Sequence, residues 1–166
     1  MVKTGIFTLK NGTHSNIYMD LRQLVNYPQF FPYLTNLLYL EHPGLLDILY
    51  QPGAKLIPIP LGGLPLGFHL STAHGIPLLM IRDKAKDHGT KRMIEGVVSV
   101  CDQYILVEDV ITSGSSILEA IVGMGKELPY TINSQHMQAI ICICNRGNIE
   151  TLQDIPVFSI FTLEEI

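Results

Sequence analysis

Short apolar runs alternate along this chain with segments of helical spacing, and turns rich in Gly, Pro, Asn or Asp separate them. Residues 5–22 read GIFTLKNGTHSNIYMDLR. Asn11-Gly12 is a strong turn signal between apolar positions, which predicts a two-stranded hairpin whose second strand covers Ile17 to Leu21. Asn26-Tyr27-Pro28 predicts a helix start, with Asn26 as cap and the prolines at 28 and 32 in a first turn or an irregular start. Phe30 to Leu40 is apolar and aromatic and reads as core, and Glu41-His42-Pro43-Gly44 ends it. A short helix is expected over Leu45 to Tyr50, then strands at Lys55 to Ile59 and Pro77 to Ile81 with a helix between them that stops near Gly75. Arg82 to Gly96 is too polar for core and reads as a long mobile loop. Val97 to Val100 is expected to resume a strand, and Tyr104 to Val107 is a short buried one. A helix follows over Ile117 to Val122, ended by Gly123 and Gly125. Met137 to Cys144 and Pro156 to Phe161 complete the strands.

Strands alternating with helices predict an α/β fold with a mostly parallel sheet covered on both faces. Ligands bind such sheets at the carboxyl ends of the strands. Loops 60–65, 82–96, 108–116 and 145–147 all follow expected strands, so they should gather on one edge.

The chain has 166 residues, 47% of them hydrophobic and 16% charged. That suits one domain, 1–166, with a sizeable core, since a domain near this size hides roughly 70% of its unfolded surface. No apolar run is long enough to span a bilayer, and MVKTGIFTLK lacks the apolar segment of a signal peptide, so neither membrane nor export is expected. Cys101, Cys142 and Cys144 give no disulfide framework; the last two alternate with isoleucines as on a buried strand, which fits a reducing compartment. A net charge of −4 argues against bulk nucleic-acid binding. Against that background, residues 82–92 collect Arg82, Lys84, Lys86, Lys91 and Arg92 against only Asp83 and Asp87. Such a segment is either a solvated loop or a contact for a polyanionic small molecule.

The sharpest chemistry lies in Tyr104 to Ser116, YILVEDVITSGSS. Thr112-Ser113-Gly114-Ser115-Ser116 opens a helix, where unpaired N–H groups and the helix dipole favour an anion. Glu108 and Asp109 would repel a phosphate, but they accept hydrogen bonds from a sugar diol or hold Mg²⁺. A sugar phosphate satisfies both halves. The plainer alternative is a βα turn in which Thr112 or Ser113 only caps the helix. Similarly, Pro60-Leu61-Gly62-Gly63 is either an anion-wrapping loop or an ordinary connection.

VEDVITSGSS resembles the phosphoribosyl-pyrophosphate (PRPP) motif of the type I phosphoribosyltransferases. With FTLKNG, IYMDLR and KAKDHGTKRMIEG in the same order, the chain resembles the orotate phosphoribosyltransferase family from Phe7 to about Leu163, especially the domain found in eukaryotic UMP synthase. That resemblance implies the type I fold, with a small N-terminal hood hairpin formed mainly by 1–25 and the C-terminal segment. It implies conversion of orotate and PRPP to orotidine 5′-monophosphate and pyrophosphate with Mg²⁺, in a cytoplasmic homodimer with shared active sites. For PRPP it implies Glu108 and Asp109 on the ribose hydroxyls, Thr112, Ser113, Gly114, Ser115 and Ser116 on the 5′-phosphate, and Leu61, Gly62, Gly63 and Lys84 on the pyrophosphate. Lys10, Tyr18, Met19 and Arg146 match orotate-binding positions. Arg82, Lys86 and His88 match the mobile catalytic loop 82–96, which reaches the partner's site, and Asp109 completes the catalytic set as a possible protein ligand for PRPP-borne Mg²⁺. Cations there neutralise the leaving pyrophosphate, and His88 adds a hydrogen bond or a proton.

The chain departs from the family pattern at Asp83, where a lysine is usual, at Leu61-Gly62, and at Asn145 in place of an aspartate. The helix before the first hairpin is expected to be absent. A phosphoribosyltransferase for another base and a PRPP-binding regulatory module are the alternatives; Asp83 favours the second.

Overall fold

A computed structural model describes residues 2–8, 14–82, 93–132 and 135–163. In chain order its strands are β1 (Val2–Thr8), β2 (His14–Met19), β3 (Ala54–Pro58), β4 (Met80–Ile81), β5 (Ile94–Glu95), β6 (Gln103–Ile111), β7 (Met137–Asn145), β8 (Thr151–Leu152) and β9 (Ile155–Thr162); its helices are α1 (Phe31–Glu41), α2 (Leu45–Leu49), α3 (Leu64–His74) and α4 (Ser115–Glu127). The central sheet has the order β3-β6-β7-β9-β8. Its first four strands run parallel, and only the short β8 is antiparallel.

Parallel strands need both faces covered, so they read as continuous apolar runs. ILV in β6 and AIICIC in β7 are such runs, and every residue from Ala139 to Asn145 is buried. Successive side chains leave opposite faces of a strand. Ile105 and Val107 therefore join Leu38, Leu49, Leu66 and Leu70 beneath α1, α2 and α3. Tyr104 and Leu106 join Ile117, Ala120 and Met124 of α4 on the other side. Cys142 and Cys144 are buried free thiols, as the alternating pattern implied. Burial, then Cys144 and the nearby acids, pushes the Cys142 thiol well above its ordinary range.

β1 and β2 form the expected antiparallel hairpin, although β2 ends at Met19 and Leu21 enters a 3-10 turn, Leu21–Asn26. Met19 ties the hairpin to the sheet, with its sulfur 3.9 Å from the Cys144 thiol.

Several expectations change. Asn26 caps nothing; it ends the 3-10 turn, and α1 starts after a second one, Pro28–Phe30. Only part of the apolar 30–40 segment is core: Phe31 and Leu38 are buried, whereas Tyr33 and Leu40 are exposed. Val97 to Val100 is not a strand; Val97 and Val100 are exposed, and Val98 packs partly buried against the core. The Pro77–Ile81 strand shrinks to β4, plus a bridge from Leu78 to Leu56. The far end of the 82–96 loop is ordered as β5, paired antiparallel with β4. Helix α4 runs through Gly123 and Gly125 to Glu127. β9 lies inside the sheet, so any share of the chain's end in a hood falls to 164–166, outside the described residues.

Candidate functional site

The carboxyl ends of β3, β6 and β7 open onto 59–63, 112–114 and 146–149, and local contacts draw these connections together. Ile59 N–H donates to Val107 O at 2.8 Å, and Arg146 N–H to Ile111 O at 2.8 Å. A Cβ on Gly147 would stand 2.0 Å from Thr112 O, so the 145–147 turn lies directly on the Thr112 loop.

Glu108 and Asp109 sit at the end of β6. Asp109 N–H donates to Glu108 Oε1 at 3.0 Å, and Val110 N–H to Asp109 Oδ1 at 2.8 Å. As neighbours on a strand they leave opposite faces. Glu108, only 7% exposed, joins Thr112, Gly114, Ser115 and Ser116 around a shallow polar depression. Asp109 faces the β3 connection instead, where a Cβ on Gly62 would stand 2.3 Å from its Oδ1. Any side chain at 62 would collide with that carboxylate.

Gly114 is the N-cap of α4, in the left-handed region at φ 74. A side chain there would also meet Leu152 Cδ2 at 2.7 Å. The N-cap residue is Gly114, which has no side chain, so neither Thr112 nor Ser113 occupies the cap position of the plainer reading. The N–H groups of a helix's first turn have no partner within the helix and favour an anion.

Arg82 leaves β4 beside a cleft of about 330 Å³ lined by Ile59, Pro60, Met93, Ser116 and Glu119. Its Nε and Nη2 donate to Glu95 Oε1 at 3.0 and 2.7 Å, and its N–H donates to Met93 O at 2.8 Å. The neck of the 82–96 loop is thus cross-tied.

Of the residues singled out in the sequence, the structure gathers Leu61, Gly62, Gly63, Arg82, Glu108, Asp109, Thr112 to Ser116 and Arg146 on this edge. Tyr18 is half-buried, its ring 5.3 Å from that of Phe7. Met19, read as an orotate contact, is buried against Cys144 and serves the core. Asn145 pins the 146–149 turn: its Nδ2 donates to Ile149 O at 2.9 Å, and its Oδ1 accepts from Ile149 N–H at 3.1 Å. Lys10, Lys84, Lys86 and His88 lie outside the described residues.

Sequence reasoning missed Arg22. It donates to Asp20 Oδ1 at 3.0 Å and to the Tyr18 hydroxyl at 3.0 Å. These Asp20 contacts, with Tyr18 and Asp109 also in electrostatic reach, raise its pKa further. The signal was the final residue of IYMDLR, a cation two places after an acid.

No family model matches the chain. Over 119 residues, 72% of this chain and 63% of the relative, it is 38% identical to the orotate phosphoribosyltransferase of Pyrococcus abyssi. Over 125 residues, 75% of this chain and 25% of the relative, it is 35% identical to the uridine 5′-monophosphate synthase of Bos taurus. The chain therefore spans less than two thirds of either relative. The crystal structure of orotate phosphoribosyltransferase from Aeropyrum pernix matches with a TM-score of 0.73 and 26% identity, covering 98% of this chain and 88% of that one. Sequence and fold agree: the chain is similar to orotate phosphoribosyltransferases, over 72% of its length in sequence and 98% of it in fold.

Proposed function

We propose that this protein transfers the phosphoribosyl group of PRPP to orotate, yielding orotidine 5′-monophosphate and pyrophosphate in pyrimidine biosynthesis. The observation that carries the reading is the acid pair between two anion-binding backbones: Glu108 beside the uncapped Thr112–Ser116 loop, Asp109 against Gly62. The 5′-phosphate fits the first backbone and the pyrophosphate the second, with the ribose hydroxyls on the carboxylates between them. A ring nitrogen of orotate attacks the anomeric carbon as the bond to pyrophosphate breaks. Positive charge on the ribose is stabilised by the acids, and negative charge on the leaving group by Arg82, Lys84 and Lys86. Asp83, alone among these positions, works against that field.

The donor set fits Mg²⁺ carried on the substrate. Among the described residues no three His, Cys, Asp or Glu side chains cluster as a metal cage, and Mg²⁺ is commonly bound by one or two carboxylates together with phosphates. Asp109 is the residue that would hold it, and the ion would supply charge neutralisation on the pyrophosphate.

The same reading makes the protein a cytoplasmic homodimer whose 82–96 loops serve each other's sites; three free thiols suit that compartment. Among the described residues no helix is long and apolar enough to cross a membrane. Mixing inactive Lys86→Ala and Asp109→Asn proteins should restore part of the activity if loops are shared. No recovery under conditions that exchange subunits would count against sharing.

The deciding experiment is an orotate turnover assay with PRPP and Mg²⁺, with purine bases as controls. Orotate consumption that needs both additions is expected. PRPP binding without turnover would select the regulatory module that Asp83 favours.

A further inference from the structure

Helix α4 carries the Thr112–Ser116 loop at one end and an unusual contact at the other. Glu127, in its last turn, accepts hydrogen bonds from two successive main-chain N–H groups. Oε1 takes Met93 N–H, and Oε2 takes Ile94 N–H at 2.9 Å. A carboxylate at a helix C-terminus opposes the helix dipole, so α4 itself gains nothing from an acid there. One turn earlier on the same face stands Gly123. A Cβ at Gly123 would sit 3.3 Å from Met93 Cε, so the helix is notched where the Met93 side chain rests. One and two further turns back, Ala120 and Ser116 line the cleft shared with Arg82 and Met93. Met93 in turn accepts the Arg82 N–H through its carbonyl, and Arg82 grips Glu95.

We propose that Glu127 is a positioning residue: with Gly123 it forms a seat on α4 that fixes the returning limb Met93–Ile94, and through it Arg82, relative to the phosphate loop at the other end of the same helix. The proposal rests on the phosphoribosyl-transfer reading above. It gives the glycine inside α4 a purpose, and it ties the two anion-handling segments to one rigid rod. Because Arg82 meets the leaving group as charge develops, loosening the seat should lower kcat rather than weaken orotate binding.

The test compares wild type, Glu127→Ala and Glu127→Gln by amide hydrogen exchange and by steady-state kinetics. Glu127→Ala should speed exchange at Met93 and Ile94 about tenfold or more, while the β6 amides stay protected and report an intact fold. Its kcat should fall about tenfold with KM for orotate unchanged. Glu127→Gln keeps one acceptor oxygen and should fall between. Unchanged exchange at Met93 and Ile94 would overturn the seat. Faster exchange with an unchanged kcat would overturn the positioning role. A wild-type protein without turnover would sink the functional reading instead, and the exchange result would still decide whether the seat exists.

Discussion

Asp109 is placed by a residue that has no side chain. With a methyl group at 62 only 2.3 Å from its Oδ1, either the carboxylate or the Pro60–Gly63 backbone must move. A displacement near 1 Å at a reacting centre costs about 10²-fold in rate. Gly62→Ala should therefore lose about that much kcat/KM for PRPP in steady-state assays, with little change in Tm, because the site is half-exposed. Arg22→Gln is a milder case. It breaks the 3.0 Å hydrogen bond to the Tyr18 hydroxyl and removes a cation from the neighbourhood of Asp109. A rise of a few-fold in KM for orotate is expected, measured beside Tyr18→Phe, which removes only the hydrogen bond. The sequence showed the acids and the hydroxylic loop because their spacing is local. It hid the division of labour between Glu108 and Asp109, which follows from strand alternation against neighbours far along the chain. It likewise hid Asn145's task, because the Ile149 main chain that it grips has no letter of its own.

Elements were legible where periodicity is strong and misread where a distant partner decides. Gly123 and Gly125 look like helix breakers, yet α4 continues through both, and Met93 rests against Gly123. Val97 to Val100 has strand composition, but no strand pairs with it, and its carbonyls serve side chains instead. The α1–α3 contact carries a device that spacing alone does not announce. His74, at the end of α3, holds the Tyr39 hydroxyl at Nε2 (2.5 Å) and the Tyr50 hydroxyl at Nδ1 (2.6 Å), joining α1, α3 and the end of α2. One turn back, His69 stacks on Phe31 at 5.8 Å. Burial lowers the pKa of both histidines below the usual 6.5, His74 adding to the effect at His69, while burial pushes Tyr39 up to about 12. The folded chain thus takes up these protons later than the unfolded chain does. Their contribution to stability is present above pH 6.5 and is lost as pH falls below it. Tm should drop between pH 7.5 and 5.5, and the drop should be smaller in His74→Gln, as thermal unfolding across that range would show.

Across the whole molecule the sheet is polarised. Its carboxyl edge collects the acids, Arg82 and the loops of the proposed site; its amino edge carries a closed polar network that nothing in the proposed reaction uses. There Lys55 Nζ donates to Asp102 Oδ2 at 2.8 Å and also to Val97 O, and Asp102 accepts Ser99 N–H at 2.7 Å. The buried Tyr104 hydroxyl lies 3.5 Å from the same carboxylate and is hydrogen-bonded to Tyr130, whose hydroxyl donates to Ser99 O at 2.8 Å. The network explains why 97–102 is a loop: its polar groups turn inward to meet a lysine and two tyrosines. The side chains of Lys55 and Asp102 are 14% and 5% exposed, so removing one partner strands a buried charge, which costs about 3–5 kcal/mol. Lys55→Met should therefore lower Tm by about 10 °C for a chain of this size. Its kcat, measured below the new transition, should match that of wild type, because Lys55 lies near the start of β3 while the acids lie near the end of β6. Replacing both partners, Lys55→Met with Asp102→Leu, should recover part of the loss, since an apolar pair leaves no unpaired charge. If Lys55→Met instead cut turnover at full stability, the two edges would be coupled, and the separation of a stabilising edge from a working edge would fail.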